Sequence, residues 1–372
     1  MHADPLERCQ LLKMRAFGTV GLLVVCFACS AEQAADKGAA YDGPPIPWAY
    51  APLGISEGPP DNKTTPEKQA LGRMLFYDPI LSRDGLTACA TCHSEIWGLS
   101  DGLALSVGVD GIGPTGPGRT GPNMTTRNAP TLWNVALVEE LFWDGREPTL
   151  ESQALRPLEN TGELNKDPQQ AAADLGAIPE YQTLFSAAFP QTVDPVTPDN
   201  IARALAAFQR SFVADRTPYD QYVSGDPGAL SDAARRGMEL FAEAGCAACH
   251  TAPRFDSAKY AARGIDSDDL GRFQVSGKEA DRGAFRVPTL RNARDTEPYF
   301  HDGSALLLRD AVAYEVKLQQ DAGLSRVLSE AEVDAIVTFI DKGLTDRSRE
   351  PHRPKHVPSG LPVPEDGFRI PR

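Results

Sequence analysis

The sequence predicts a mainly α-helical protein folded as two similar units. Three observations carry that expectation: a cysteine–histidine pentad that occurs twice, a downstream segment that recurs with it, and capped helix signals around both. The pentads are Cys89-Ala90-Thr91-Cys92-His93 and Cys246-Ala247-Ala248-Cys249-His250. Two thiols at this spacing reach both vinyl groups of one porphyrin, and the adjoining imidazole then falls beneath the iron. A bare Cys-x-x-Cys also suits a dithiol redox site or half a zinc site, so the histidine and the repetition are what specify covalent haem. Cys89, Cys92 and His93 are thus expected to hold one c-type haem, and Cys246, Cys249 and His250 a second, with His93 and His250 on the irons. Of the seven cysteines four lie in the pentads and Cys9, Cys26 and Cys29 lie near the start, so none remains for a disulfide framework.

The repeat extends beyond the pentads. Pro130-Thr131-Leu132 leads through Asn134 to Trp143-Asp144-Gly145, and Pro288-Thr289-Leu290 leads through Asn292 to His301-Asp302-Gly303 over an equal distance. The gap from pentad histidine to this proline is 37 residues in the first half and 38 in the second. A duplicated haem unit explains both coincidences.

Helix signals follow in order. Thr65-Pro66-Glu67 is a cap with proline in the first turn, followed by Ala70, Leu71, Met74 and Leu75 as one apolar stripe. Ser231 opens a helix through Met238, Leu240 and Phe241 that delivers the chain to Cys246. Ile201, Leu205, Phe208 and Phe212 mark a helix between the halves, and Ser329 with Glu332 is a capping box before Val333, Ile336, Val337 and Ile340. Alternating strand patterns are scarce. The fold class is therefore mainly α: two cytochrome c-like haem domains related by internal duplication, with long loops.

Residues 1–29 read as an export signal, with Lys13 and Arg15 ahead of an apolar run from Val20 to Ala28 that is too short to span a membrane. Met14 is an alternative start, and Ala28-Cys29 is open to lipoprotein processing, with Cys29 lipid-anchored, or to ordinary cleavage. A periplasmic location follows, free or tethered. Residues 30–60 form an Ala/Gly/Pro-rich linker, 61–225 the N-terminal haem domain, 226–348 the C-terminal haem domain, and 349–372 an irregular proline-rich tail over the surface. The net charge of −14 argues against nucleic acid and suits either a basic docking partner or simple solubility.

The sixth coordination position decides between carrier and enzyme, because an iron with two protein ligands shuttles electrons and an open one binds small oxidants. No histidine occurs between His93 and His250, so the first haem has no second imidazole from its own half. The Gly/Pro loop from Ser106 to Arg127 offers Met124 as its only soft donor, and such a loop supplies no helix to hold a thioether. The first iron is expected to be open at rest.

The order and wording of these motifs resemble the bacterial di-haem cytochrome c peroxidase family, which includes the methylamine-utilisation protein MauG. The stretches that carry the resemblance are Leu71-Gly72-Arg73-Met74-Leu75-Phe76-Tyr77-Asp78, both pentads, Arg127-Asn128-Ala129-Pro130-Thr131, Phe142-Trp143-Asp144-Gly145-Arg146, Glu163-Leu164-Asn165 and Pro298-Tyr299-Phe300-His301-Asp302-Gly303. The resemblance implies a peroxidatic N-terminal haem and an electron-receiving C-terminal haem. It implies Glu163 as the distal acid-base group, Gln153 as its companion and Trp143 as the inter-haem bridge. It also implies a calcium ion held by Asn128 with the carbonyls of Thr296 and Pro298. Without it, Glu163 would read as a surface-loop carboxylate and Trp143 as a core aromatic.

Two departures from the family pattern matter. Many members close the resting first haem with a histidine in the loop after the pentad, where this chain has Val109. The second haem's usual methionine or tyrosine ligand falls at Glu315, with Tyr314 beside it, and no methionine follows Met238, so an oxygen donor from Glu315 or Tyr314 is expected. The leading expectation is reduction of hydrogen peroxide to water with electrons from a small periplasmic cytochrome c or copper protein. The alternatives are a MauG-like enzyme that oxidises residues of a partner protein, and a di-haem electron carrier. A homodimer is expected.

Overall fold

The structure is a computed structural model that describes residues 53–54, 56–265 and 268–369; the expected signal and most of the expected linker lie outside the described residues. The first half contains α1 (Pro66–Tyr77), α2 (Cys89–Cys92), α3 (Leu150–Glu159), α4 (Pro168–Gly176), α5 (Pro179–Ala188), α6 (Pro198–Gln209) and α7 (Pro218–Val223). The second contains α8 (Asp232–Glu243), β1 (Tyr260–Ala262), α9 (Phe273–Ser276), β2 (Ala284–Arg286), α10 (Leu308–Asp321) and α11 (Glu330–Thr338), which runs on into a π turn at Phe339–Gly343. β1 and β2 pair antiparallel with Tyr260 opposite Arg286. No helix among the described residues is long and apolar enough to cross a membrane.

The caps read from sequence form as expected. Thr65 accepts from the Lys68 amide at the start of α1, Ser231 accepts from Ala234 at the start of α8, and Ser329 and Glu332 close a capping box on α11. Each half is built on one helix crossing. Leu71, Leu75 and Phe76 of α1 pack on Ile201, Leu205 and Phe208 of α6, while Met238 and Phe241 of α8 pack on Val333, Ile336 and Phe339 of the α11 segment. Each fully buried side chain of this size contributes roughly 1.5–3 kcal/mol. These crossings, rather than the three-residue strands, therefore hold the halves.

The duplication is visible in the backbone. A Cβ on Gly72 would lie 2.0 Å from the Ala204 carbonyl oxygen, and one on Gly237 would lie 1.9 Å from that of Ala335, so both crossings need glycine for close approach. Asn134 and Asn292 each adopt φ 58°. The amide of Asn134 donates to Phe212 and its Oδ1 accepts from Ala214, and Asn292 repeats this with Leu344 and Asp346. Asparagine tolerates the left-handed conformation better than most residues and here uses its side chain to tie the loop back.

Helices α3, α4, α5, α7 and α10 were not legible from the periodic stripes. Four of them begin behind Thr149, Asp167, Ile178 and Thr217, three with proline in the first turn, but they are short or carry narrow buried stripes. The Gly/Pro loop is also better organised than its composition suggests. Arg119 is buried within it and donates to the carbonyls of Val107, Gly108 and Gly113. Met124 nevertheless stays half-exposed.

Candidate functional site

In the first half α2 is a single turn, closed by the His93 amide donating to the Cys89 carbonyl at 3.0 Å. That turn places Cys89, Cys92 and His93 on one cavity, of about 50 Å³, with Phe76, Leu132, Leu205, Gln153, Glu163 and Gln209. His93 Nδ1 lies 2.9 Å from the Leu99 carbonyl oxygen. A ring that donates from Nδ1 to a carbonyl keeps its Nε2 lone pair for a metal. Burial pushes the His93 pKa down, which maintains the neutral, ligating form.

The second half repeats the arrangement. The His250 amide donates to the Cys246 carbonyl at 2.9 Å, and His250 Nδ1 lies 3.1 Å from the Phe255 carbonyl oxygen. Burial pushes the His250 pKa down to about 4. Cys246, Cys249 and His250 line a larger cavity, of about 220 Å³, with Leu290, Leu308 and Val312 among its apolar walls. None of the four pentad cysteines is tied up in a disulfide, which leaves each pair available for attachment. Paired thiols, a neutral imidazole with an oriented Nε2 and an apolar cavity form a donor set that fits covalent haem in each half.

The residues expected opposite His93 come together. Gln153 projects from α3, and Glu163 follows the turn that ends this helix. Asn160 builds that turn: its Nδ2 donates to Glu163 Oε1 at 2.6 Å, and its Oδ1 accepts from the Gly162 amide at 2.9 Å. The Glu163 carbonyl accepts from the Val109 amide at 2.8 Å, so the Gly/Pro loop backs the acid. Burial pushes the Glu163 carboxyl pKa up, against lowering contributions from Asn160 and Arg146. Neither Met124 nor Val109 lines this cavity, and among its lining residues no methionine and no second histidine occurs. Asn160 was missed from sequence, although an asparagine two residues ahead of Gly162 is the pattern of an asparagine turn.

Trp143 lies where the halves meet. It lines the second cavity, its Nε1 donates to the Asn128 carbonyl at 2.8 Å, and its own carbonyl accepts from the Arg286 amide at 2.8 Å. His301, its counterpart in the repeat, stacks on Phe285 with ring centres 3.7 Å apart, and its carbonyl accepts from the Asn128 amide at 2.7 Å. Asn128, Thr296 and Pro298 all line the second cavity. No group of three His, Cys, Asp or Glu side chains able to hold a metal occurs among the described residues.

Glu315 and Tyr314 are separated by the turn of α10. Glu315 lines the second cavity with its Oε1 3.2 Å from Arg263 Nε, whereas the Tyr314 hydroxyl donates to the Arg263 carbonyl at 2.6 Å and its ring packs on Phe300. Burial pushes the Glu315 pKa up, against the Arg263 charge. Arg263 had no signature in the sequence.

Residues 66–228 match the family described as di-haem cytochrome c peroxidase, and residues 234–343 match cytochrome c. The chain is 35% identical over 283 residues to the cytochrome c551 peroxidase of Pseudomonas aeruginosa, covering 74% of this chain and 78% of the relative. It belongs to the di-haem cytochrome c peroxidase and MauG family. Other members include the methylamine utilization protein MauG of Methylorubrum extorquens, 40% identical over 263 residues, 70% of this chain and 71% of that protein. Among solved structures, a MauG-like protein associated with microbial copper homeostasis superposes with a TM-score of 0.70 at 28% identity, over 84% of this chain and 97% of that one. The diheme peroxidase BthA from Burkholderia thailandensis shares the fold, with a TM-score of 0.63 at 22% identity over 87% of this chain and 97% of that one. Membership makes this chain an oxidoreductase with cytochrome c-type domains, which carry covalent c-type haem.

Proposed function

We propose that this protein reduces hydrogen peroxide to water at its first haem, held by Cys89, Cys92 and His93, with electrons received at its second, held by Cys246, Cys249 and His250. The observation that carries this reading is the first cavity, where Glu163 and Gln153 share the walls with His93 and no methionine or second histidine lines them. The haem supplies the iron that takes up the oxidant and the electrons that break its O–O bond. Glu163 takes the proton from the near oxygen and returns it to the far oxygen as the bond breaks, so peroxide, two electrons and two protons leave as two waters. Asn160 keeps Glu163 in place for that transfer, and Gln153 positions the oxidant by hydrogen bonding. With Val109 in place of a loop histidine, the first site is open at rest and needs no reductive activation.

Trp143, held by Asn128, provides the aromatic contact between the two sites, and a calcium ion on Asn128, Thr296 and Pro298 fixes that junction. Glu315, rather than Tyr314, would supply the oxygen donor to the second iron, because its carboxylate lines the cavity with one oxygen beside Arg263, while the single Tyr314 hydroxyl is committed to the Arg263 carbonyl. An anionic oxygen ligand stabilises ferric iron and lowers the potential relative to a thioether. The donor is a small periplasmic cytochrome c or copper protein. Peroxide consumption with reduced cytochrome c tests the reading: turnover is expected, and failure with every one-electron donor contradicts it. A second reading, oxidation of a partner protein as in MauG, is favoured by the oxygen donor at the second haem. It predicts a long-lived oxidised state in place of donor turnover.

A further inference from the structure

Among its described residues the segment after Arg349 carries no helix or strand but returns across the first half, with Val357 buried in that half's core. Its contacts concentrate on the four residues that follow His93. Asp366 Oδ1 accepts from Ser94 Oγ at 2.6 Å. Arg353 Nη2 donates to Glu95 Oε2 at 2.7 Å and to Asp366 Oδ1 at 3.0 Å, while the other Glu95 oxygen accepts from Tyr77 at 2.6 Å. The Arg369 guanidinium donates to the Ile96 carbonyl and lies over the Trp97 ring, 5.0 Å from its centre. The loop from Ser94 to Trp97 leads directly to Leu99, whose carbonyl orients His93.

The same segment reaches two further parts of the site. The Thr115 amide donates to the Glu365 carbonyl at 2.8 Å and the Gly367 amide to the Thr115 carbonyl at 2.7 Å, which joins the segment to the Gly/Pro loop behind Glu163. Arg369 also pairs with Asp295 at 3.0 Å and Glu297 at 3.2 Å, on the second-half loop that contains Thr296 and Pro298. Arg353 and Arg369 are largely buried, with 21% and 13% of their side chains exposed, so these charge-assisted bonds are shielded from salt and water.

We infer that Arg353 and Arg369 are positioning residues for the first haem: through Ser94, Glu95, Ile96 and Trp97 they set the loop that orients the His93 ring. The inference rests on His93 as iron ligand and not on the peroxidase reading. The test uses the holoprotein, the resonance Raman iron–histidine stretch of its reduced first haem and the midpoint potentials of both haems, the potential of the second being the internal control. Arg369→Gln leaves Val357 and the core in place, and Arg353→Gln with Arg353→Lys separates loss of charge from loss of fork geometry.

The expected result is a shifted stretch and a changed midpoint potential at the first haem only, partial restoration by Arg353→Lys, and a kcat/KM for peroxide lowered roughly tenfold to a hundredfold. Unchanged first-haem signatures in both glutamine variants overturn the inference, as do equal changes at both haems, which would show a general structural role. A first-haem spectrum unchanged by His93→Gly would instead remove the His93 reading.

Discussion

The indole Nε1 of Trp143 donates to the backbone carbonyl of Asn128 at 2.8 Å, so the aromatic at the junction of the two halves is fixed by the residue whose amide also holds His301. Trp143→Phe keeps a ring but leaves that carbonyl without its donor, at a cost of about 1–3 kcal/mol. Stopped-flow reduction should show the second haem reduced at the parental rate and transfer to the first haem slowed roughly tenfold, about 1.4 kcal/mol of barrier. Unchanged transfer would remove Trp143 from the path.

Glu163→Gln keeps the bond pattern nearest to Asn160 but cannot carry the proton. Its kcat for peroxide should fall by about 10²–10⁴-fold while both haems retain their spectra. Burial raises the Glu163 pKa, so the acidic limb of kcat/KM in the parent should lie above the ordinary glutamate value. The base form is populated above that raised pKa, and activity is lost as pH falls through it. A limb at or below the ordinary value, or a glutamine variant with parental kcat, contradicts the assignment.

Glu315→Met offers the second iron a thioether at the same place on α10. The midpoint potential of the second haem should rise, since oxygen ligation favours ferric iron, while Tyr314→Phe should leave that haem's absorption spectrum and potential unchanged. Arg263→Leu removes the partner 3.2 Å from the Glu315 carboxylate and should alter the second haem alone. A second-haem response to Tyr314→Phe would move the ligand to the tyrosine.

Arg291 is fully buried and bidentate to Asp220, with Nη1 at 2.7 Å and Nη2 at 2.8 Å, and its Nη1 also donates to the Ala214 carbonyl. Removing one partner strands a buried charge. Asp220→Leu should destabilise the fold by about 3–5 kcal/mol in denaturant titration, more than the double change Asp220→Leu with Arg291→Met. Equal losses in the two would show that the charge pair is not what α7 needs.

What the sequence disclosed was what lies close in sequence or repeats. The pentads place thiols and imidazole within one turn, and the caps at Thr65, Ser231 and Ser329 start helices whose stripes are several turns long. The matching Asn134 and Asn292 loops followed from equal spacing. What stayed hidden depends on direction or distance. Glu315 and Tyr314 are neighbours in sequence, and the turn of α10 determines which one faces the cavity. Asp366 meets Ser94 across 272 residues, a contact with no local pattern to announce it. The order in the Gly/Pro loop comes from one buried arginine, Arg119, which composition alone presents as another surface charge.

An open face on the first haem before any electron arrives is visible in the electron paramagnetic resonance spectrum of the purified, fully oxidised protein. A high-spin ferric signal from the first haem is expected, beside a second haem with its own ligand set. A resting spectrum in which the first haem is low-spin, becoming high-spin only after the second is reduced, would contradict it.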